Sequence, residues 1–453
     1  MLNAAGAAAG GDPLAWSADR NEELEQRAAT GTSHVIYANS PDGVVATARR
    51  TAGWRDEIEA AAARHDVNPD RLEALVFLES AGRPEVMAGE TPEAASGLTQ
   101  IIPSTATDLL GMRVDLERSK QLTKAINRAA ESGDFDRVDK LAHERAEIDE
   151  RFDPQKALEG AAQYLEIARD RFGADDLATV SYHMGIGNLE SVIRAYVGAG
   201  EDTPIGDVVA EHDLSYAQLY FDTAPDRHPE ASGLLTGFGD DSAEYYWRIL
   251  ASQRMMGEWR NKPDRLDEIV DLATNKATME EVYHPESASE VFETPDDIEA
   301  ASEDGDLLPL PAARGLGWVP DRQMGELAPE LDREPALYRA LRPEALATLA
   351  YMGARVRQLS GASRPLRVTS TVRDQTYQDL LEASNPEATH AYSLHTTGYS
   401  FDILRDYESD EQAAAFQFML DRLQALAVID YAVEPRAIHV TVSDLGAALL
   451  PDP

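Results

Sequence analysis

The sequence predicts a multidomain protein, a mostly α-helical N-terminal domain followed by a smaller α+β domain. Three observations carry this. At 453 residues the chain exceeds one ordinary hydrophobic core. From residue 53 to about 285 its apolar residues recur at helical spacing with few alternating stretches. From residue 333 the pattern becomes mixed: helices are expected over 343–359 and 410–426, and strands over 366–372, 399–403 and 437–442.

The elements fall in order along the chain. Residues 1–52 are polar and rich in small side chains and read as a flexible N-terminal segment. Its first eleven residues lack a basic start and a long apolar run, so they are not a complete signal peptide. They read either as the remnant of one or as a tail. A first domain is expected over 53–205. Its stretch at about 115–151, dense in Glu, Asp, Lys and Arg, reads as a solvated helical insertion. A helical extension follows over 206–285. Residues 286–335, rich in Pro, Gly, Asp and Glu, read as a linker, and 336–453 form the α+β domain.

Composition narrows the function classes. Hydrophobic residues make up 43%, enough for packed cores, but no apolar run has the length of a membrane span, so no integral membrane segment is expected. The absence of cysteine excludes structural disulfides and leaves His and carboxylates as metal ligands. A formal charge of −40 repels phosphate-rich partners, so no nucleic-acid partner is expected. Oligomeric state has no signature here.

The first chemical centre is Glu79. Asn68-Pro69-Asp70 is a helix start, with a side-chain cap, proline at the first helical position and an acid in the first turn, and Gly82 can end the helix. Leu72, Leu75 and Val76 lie seven, four and three residues before Glu79 and share its face. Burial and the negative end of the helix dipole both disfavour an ionised carboxyl there. A carboxylic acid protonated near neutral pH is what protonates a glycosidic oxygen. By periodicity alone, a helix-end carboxylate paired with Arg83 fits equally well. Gly185-Ile186-Gly187 begins like a dinucleotide fingerprint, but it has neither the third glycine nor a preceding strand and reads as a helix-to-helix turn.

Glu79-Ser80, Ser96-Gly97-Leu98-Thr99-Gln100, Asp153-Pro154 and Ser181-Tyr182-His183-Met184-Gly185 occur in that order. Together they make about residues 53–200 resemble the soluble lytic transglycosylases, whose fold is goose-lysozyme-like. The resemblance implies that Glu79 is the sole acid/base. It would protonate the oxygen between N-acetylmuramic acid and N-acetylglucosamine, then deprotonate the muramic 6-hydroxyl to close a 1,6-anhydro ring. It further implies that Ser80, Ser96, Gln100 and Tyr182 contact sugar. Thr99 and His183 stand where that family often has Met and Asn.

The second centre lies in Ser393-Leu394-His395-Thr396-Thr397-Gly398-Tyr399-Ser400-Phe401-Asp402, followed by Glu434 and His439. Two imidazoles, a ligating carboxylate and a spare carboxylate are the inventory of a catalytic zinc site with an open position for water. Strand alternation sets Asp402 opposite Phe401 and Ile403, and His439 opposite Ile438 and Val440, so both fall on polar faces. His390 is a rival ligand outside this spacing.

The pattern Ser-x-His-x-x-Gly-x-x-x-Asp, with Arg373 upstream in Thr371-Val372-Arg373 and Gln378 after it, resembles the zinc D-alanyl-D-alanine carboxypeptidases of the vancomycin-resistance type, whose scaffold hedgehog-like domains share. The resemblance covers about residues 336–445. It implies Zn2+ on His395, Asp402 and His439, Glu434 as general base, Arg373 on the tetrahedral oxyanion and Ser393 on substrate. That family often places Glu three residues before the last His, whereas here Glu434 stands five residues before His439. An unbroken strand would send Glu434 to the wrong face, and Pro435 permits a turn that would restore it.

Peptidoglycan carries both target bonds side by side, so the leading expectation is a bifunctional enzyme of the bacterial cell envelope or exterior with peptidoglycan as its partner. Tethering two active sites to one polymer raises the effective concentration of the second near the first cut. Two alternatives remain: a transglycosylase whose C-terminal domain binds wall peptide or zinc without turnover, and a non-catalytic wall-binding protein.

Overall fold

The structure is a computed structural model that describes residues 12–311, 314–384 and 392–450. The chain divides into two compact units. One is Val35–Glu268. The other joins residues 1–34 to 269–453, so the division falls inside the helix Pro263–Thr274.

The first unit is helical, and its central element is the helix Pro69–Ser80. The Asn68 side chain accepts from the backbone N–H groups of Asp70 and Arg71 at 2.8 and 3.3 Å, the cap expected from sequence. The helix ends at Ala81, itself in the left-handed region at φ 54°, followed by Gly82 at φ 74°. Leu72, Leu75 and Val76 are buried. Leu72 and Val76 pack on small residues of Arg55–His65 and Pro154–Phe172, such as Ala61, Ala62 and Ala161, and Leu75 packs with Leu165. Tyr245–Asn261 packs along the same helix and supplies Tyr245 and Ile249 to the core.

The charged insertion is an antiparallel hairpin of the helices Leu116–Glu131 and Phe135–Ile148, each started by an aspartate cap. Its return is anchored by a fully buried ion pair, Arg151 to Asp149 at 2.8 Å. Arg151 also donates to the carbonyls of Pro92, Ala94 and Ile101. A buried pair of this kind holds because both charges are also hydrogen-bonded. The loop it gathers packs so closely that a Cβ on Gly97, at φ 81°, would lie 1.8 Å from the Arg151 carbonyl oxygen. Gly185, at φ 85°, joins the helices Asp175–Met184 and Ile186–Val197, the helix-to-helix turn expected there.

The second unit is built on a mixed sheet. Its strands are β2 (Trp318–Pro320), β4 (Leu366–Ser370), β5 (Ser400–Leu404), β6 (Ile429–Val433) and β7 (Ala437–Val442), in the order β2-β4-β5-β7-β6. Only the β2–β4 pair is parallel. Two further short strands, β1 (Leu308–Pro309) and β3 (Ala340–Leu341), pair separately. Helices Pro343–Ser360 and Asp410–Ala425 pack against each other and against the sheet. Phe401, Ile403, Ile438, Val440 and Val442 are buried along β5 and β7. The register sets Asp402 opposite His439 and Ser400 opposite Thr441, so these four share the other face.

Three expectations about organisation need correction. The segment 1–52, expected to be flexible, forms the helices Asn21–Gly31, His34–Asn39 and Val44–Ala52 over its described part. Leu24 and Ala28, one turn apart, are fully buried. Gly31 meets the Gln424 carbonyl so closely that a Cβ would sit 1.8 Å from it. Small residues there serve close packing, not mobility. The expected linker 286–335 instead carries β2 and the capped helix Pro295–Asp304, and it buries Phe292, Ile298, Leu307, Trp318 and Met324. The 336 boundary for the α+β domain is therefore too late, since that unit takes in the chain from residue 269.

Candidate active sites

In the helical unit, Glu79 lies on the last turn of Pro69–Ser80. It lines a groove of about 500 Å³ with Arg83, Val86, Gln100, Tyr182 and His183. A second hollow of about 290 Å³ on the same unit also includes Glu79 and Arg83, with Ile36, Asn39 and Arg248. Tyr245 donates its hydroxyl to Glu79 Oε1 at 2.6 Å. Burial raises the Glu79 carboxyl to about 7. The Tyr245 hydrogen bond pulls the other way, and the charge of Asp241 adds to the rise. Among the described residues no ion pair joins Glu79 to Arg83, which donates from Nε to the Ser80 carbonyl.

The expected sugar-contacting residues divide. Gln100 and Tyr182 line the groove. Gln100 sits at φ 50° with its amide donated to the carbonyls of Val86 and Gly97, and Tyr182 donates to the Thr99 carbonyl at 2.8 Å. Ser96 and Ser80 do not line it. Ser96 is fully buried, with its hydroxyl on the Ala94 carbonyl, and Ser80 is buried with its hydroxyl on the Val76 carbonyl. Both serve local backbone. Tyr245 was missed because it lies 166 residues from Glu79. The only sequence signal for it is the aromatic run Tyr245-Tyr246-Trp247. His183 stacks on its ring, with centroids 5.1 Å apart.

In the sheet unit, His395, Asp402 and His439 converge, with one ligand atom of each within 4.8 Å of the others. Asp402 Oδ1 lies 3.2 Å from His395 Nε2 and 2.9 Å from His439 Nδ1. The other nitrogen of each ring is also held: His395 Nδ1 is 2.8 Å from the Thr371 carbonyl, and His439 Nε2 is 3.2 Å from Glu280 Oε2. Two imidazoles and a carboxylate, each ring oriented from behind, form a donor set that fits a zinc ion and leaves a coordination position open. His390 lies outside the described residues.

The charges here are strongly coupled. Burial would raise Asp402, but His395 and His439 hold its carboxylate well below the usual range. Burial and the neighbouring Arg373 push His395 down to about 4. Burial also opposes the charged form of His439, yet its hydrogen bonds to Asp402 and Glu280 prevail and push it up to about 10. The site thus favours a charged His439 between Asp402 and Glu280 and a neutral His395.

Arg373 places Nη2 3.6 Å from Asp402 Oδ2. It is braced by Ser370 Oγ at 2.6 Å and by Gln378 Oε1 at 3.0 Å. Ser393 is buried at the start of the turn Leu394–Thr397, which carries His395.

Glu434 occupies the β6–β7 hairpin. Val433 pairs with Ile438, and the Glu434 N–H donates to the Ala437 carbonyl at 3.0 Å. The turn at Pro435-Arg436 thus sets Glu434 opposite Ala437, two residues from His439. The odd spacing along the chain becomes an even one across the hairpin, and Glu434 falls on the His439 face. It is exposed, and its charge reaches Arg373.

Comparison with known families adds one finding. Residues 135–203 match the family described as the transglycosylase SLT domain. The match spans the second insertion helix through Ile186–Val197 and includes Tyr182 and His183, while Glu79 and Gln100 precede it. It supports a helical lysozyme-like unit, peptidoglycan as substrate and lytic transglycosylase activity. No curated protein matches the chain. No helix among the described residues is long and apolar enough to cross a membrane.

Proposed function

We propose that the chain is a two-centre peptidoglycan-degrading enzyme of the bacterial cell envelope or exterior. Glu79 cleaves the bond between N-acetylmuramic acid and N-acetylglucosamine, and the His395, Asp402 and His439 centre cleaves a stem-peptide bond. The observation that carries the first activity is a half-buried Glu79 in a sugar-sized groove, held protonated up to about pH 7. The acid protonates the glycosidic oxygen. The resulting carboxylate, steadied by Tyr245 at 2.6 Å, then takes the proton of the muramic 6-hydroxyl. Gln100 and Tyr182 bind sugar.

At the second centre, His395, Asp402 and His439 would hold a zinc ion, which when bound would supply Lewis acidity. Glu434 takes the proton of the attacking water, Arg373 faces the developing oxyanion, and Ser393 orients the peptide. A reading in which this unit binds wall peptide or zinc without turnover is favoured by the exposure of Glu434. Mass spectrometry of purified peptidoglycan after digestion by the full chain separates these readings. Anhydro-ended muropeptides with shortened stems support both activities. Anhydro ends with intact stems leave the second unit a binding module. Reducing ends would make the first centre a hydrolase, and unchanged peptidoglycan would overturn the proposal.

A further inference from the structure

Glu280 lies on the short helix Glu280–Tyr283, more than a hundred residues before His395 and outside every motif read from the sequence. It is 5% exposed. A buried carboxylate needs partners, and three are present: Lys276 Nζ at 2.6 Å, His439 Nε2 at 3.2 Å and the Thr441 hydroxyl at 3.5 Å. Lys276 also donates to the Tyr392 carbonyl, next to Ser393.

His439 has its two nitrogens engaged on opposite edges of the ring, Nδ1 by Asp402 at 2.9 Å and Nε2 by Glu280 at 3.2 Å, with the Thr441 hydroxyl 3.3 Å from Nε2 as well. Glu280 therefore stands behind the imidazole, away from the point where Asp402, His395 and Nδ1 converge. It is placed to orient a ligand, not to be one. The companion ring is held differently, with His395 Nδ1 at the neutral Thr371 carbonyl. A carboxylate behind a ligating imidazole fixes the tautomer and raises the basicity of the ligating nitrogen, and a carbonyl does so more weakly.

We infer that Glu280 is a positioning residue of the metal centre, turning His439 Nδ1 toward Asp402 and His395 and strengthening it as a donor. The inference rests on the reading of that trio as a zinc site. The contacts of Glu280 with His439 and Thr441 tie the segment ahead of the sheet to β7, the strand that bears His439, and Lys276 pins Glu280 within that segment.

The test uses the full chain, with zinc affinity measured by chelator competition and the visible spectrum of the cobalt-substituted protein as a second readout. Glu280→Ala should weaken zinc binding by about 10- to 100-fold and shift the cobalt spectrum. Glu280→Gln keeps an acceptor for Nε2–H and should recover part of both. Lys276→Met removes the pin but leaves Glu280 beside His439, so its cobalt spectrum should match wild type. Equal zinc affinity and an unchanged cobalt spectrum in both Glu280 variants would overturn the inference. So would a Lys276→Met protein that reproduces Glu280→Ala, because Glu280 would then only anchor its helix. Wild type that binds no zinc overturns the metal centre itself, and this inference with it.

Discussion

Glu79 and Asp402 are both carboxylates withdrawn from water, yet their surroundings drive them to opposite charge states. Around Glu79 the nearest partner is a neutral phenol, Tyr245, and the nearby charge is that of Asp241, so burial prevails and the proton stays on to about pH 7. Around Asp402 two imidazoles lie within 3.2 Å and Arg373 at 3.6 Å, so the carboxylate stays ionised. The same functional group is kept protonated in one unit and ionised in the other. What differs is the charge of its neighbours, not the depth of its burial.

The contrast breaks most sharply at the acid. Glu79→Gln keeps the shape and removes the transferable proton, so glycan cleavage should fall by about 10³-fold or more, with the fold and the zinc content intact. Counting anhydro-muropeptides released by the purified variant checks this, and retained anhydro ends would remove Glu79 from the chemistry. The converse experiment is Asp402→Ala, which leaves two imidazoles and Arg373 without their shared anion. Metal analysis should find the stoichiometric zinc gone and stem-peptide cleavage with it, while glycan cleavage persists. A variant that keeps its zinc would show that Asp402 is no ligand.

Glu434 sharpens the comparison within the second centre. Three protein ligands complete a catalytic zinc site with an open position, so Glu434→Ala should keep the metal and lower turnover of a D-Ala-ended stem peptide by about 10²- to 10⁴-fold. Loss of zinc would make Glu434 a ligand. Wild-type turnover would remove it from the mechanism.

What sequence could reveal follows the range of the interactions. The helix through Glu79 was legible because its cap, its apolar stripe and its end all lie within fifteen residues. Strand β7 was legible to the residue, and β5 to within one, because alternation is a local signal. The Glu434 parity hung on a two-residue turn that Pro435 permits but does not dictate. Strand β2, only three residues long, has too little alternation to register, and its Trp318 sits in a stretch whose composition reads as linker. Tyr245 and Glu280 were out of reach, since each acts across more than 150 residues and neither spacing carries a local pattern. The hydroxyls of Ser80 and Ser96 sit on the Val76 and Ala94 carbonyls. A motif gives residue identity, but not whether the hydroxyl faces the groove or its own backbone.

The smallest expected effect tests why the acid titrates where it does. Tyr245 donates to Glu79 Oε1 and so favours the ionised form, partly offsetting burial. Removing the hydroxyl in Tyr245→Phe takes away that offset while keeping the ring that stacks on His183. The Glu79 pKa should therefore rise further above about 7. The alkaline limb of the glycan-cleavage profile, which falls as the acid loses its proton, should move to higher pH. Activity at the optimum should drop only several-fold, because the carboxylate formed after the first proton transfer loses one of its hydrogen bonds. The sign for stability is opposite to that of a salt-bridged acid. A folded-state pKa raised above 4.5 means the native chain binds the extra proton, so stability declines as pH rises from about 4.5 through about 7, and the variant extends that decline upward. An alkaline limb that moves down, or stays put, would mean that the phenol does not act as the donor to Glu79 and that another group sets its charge.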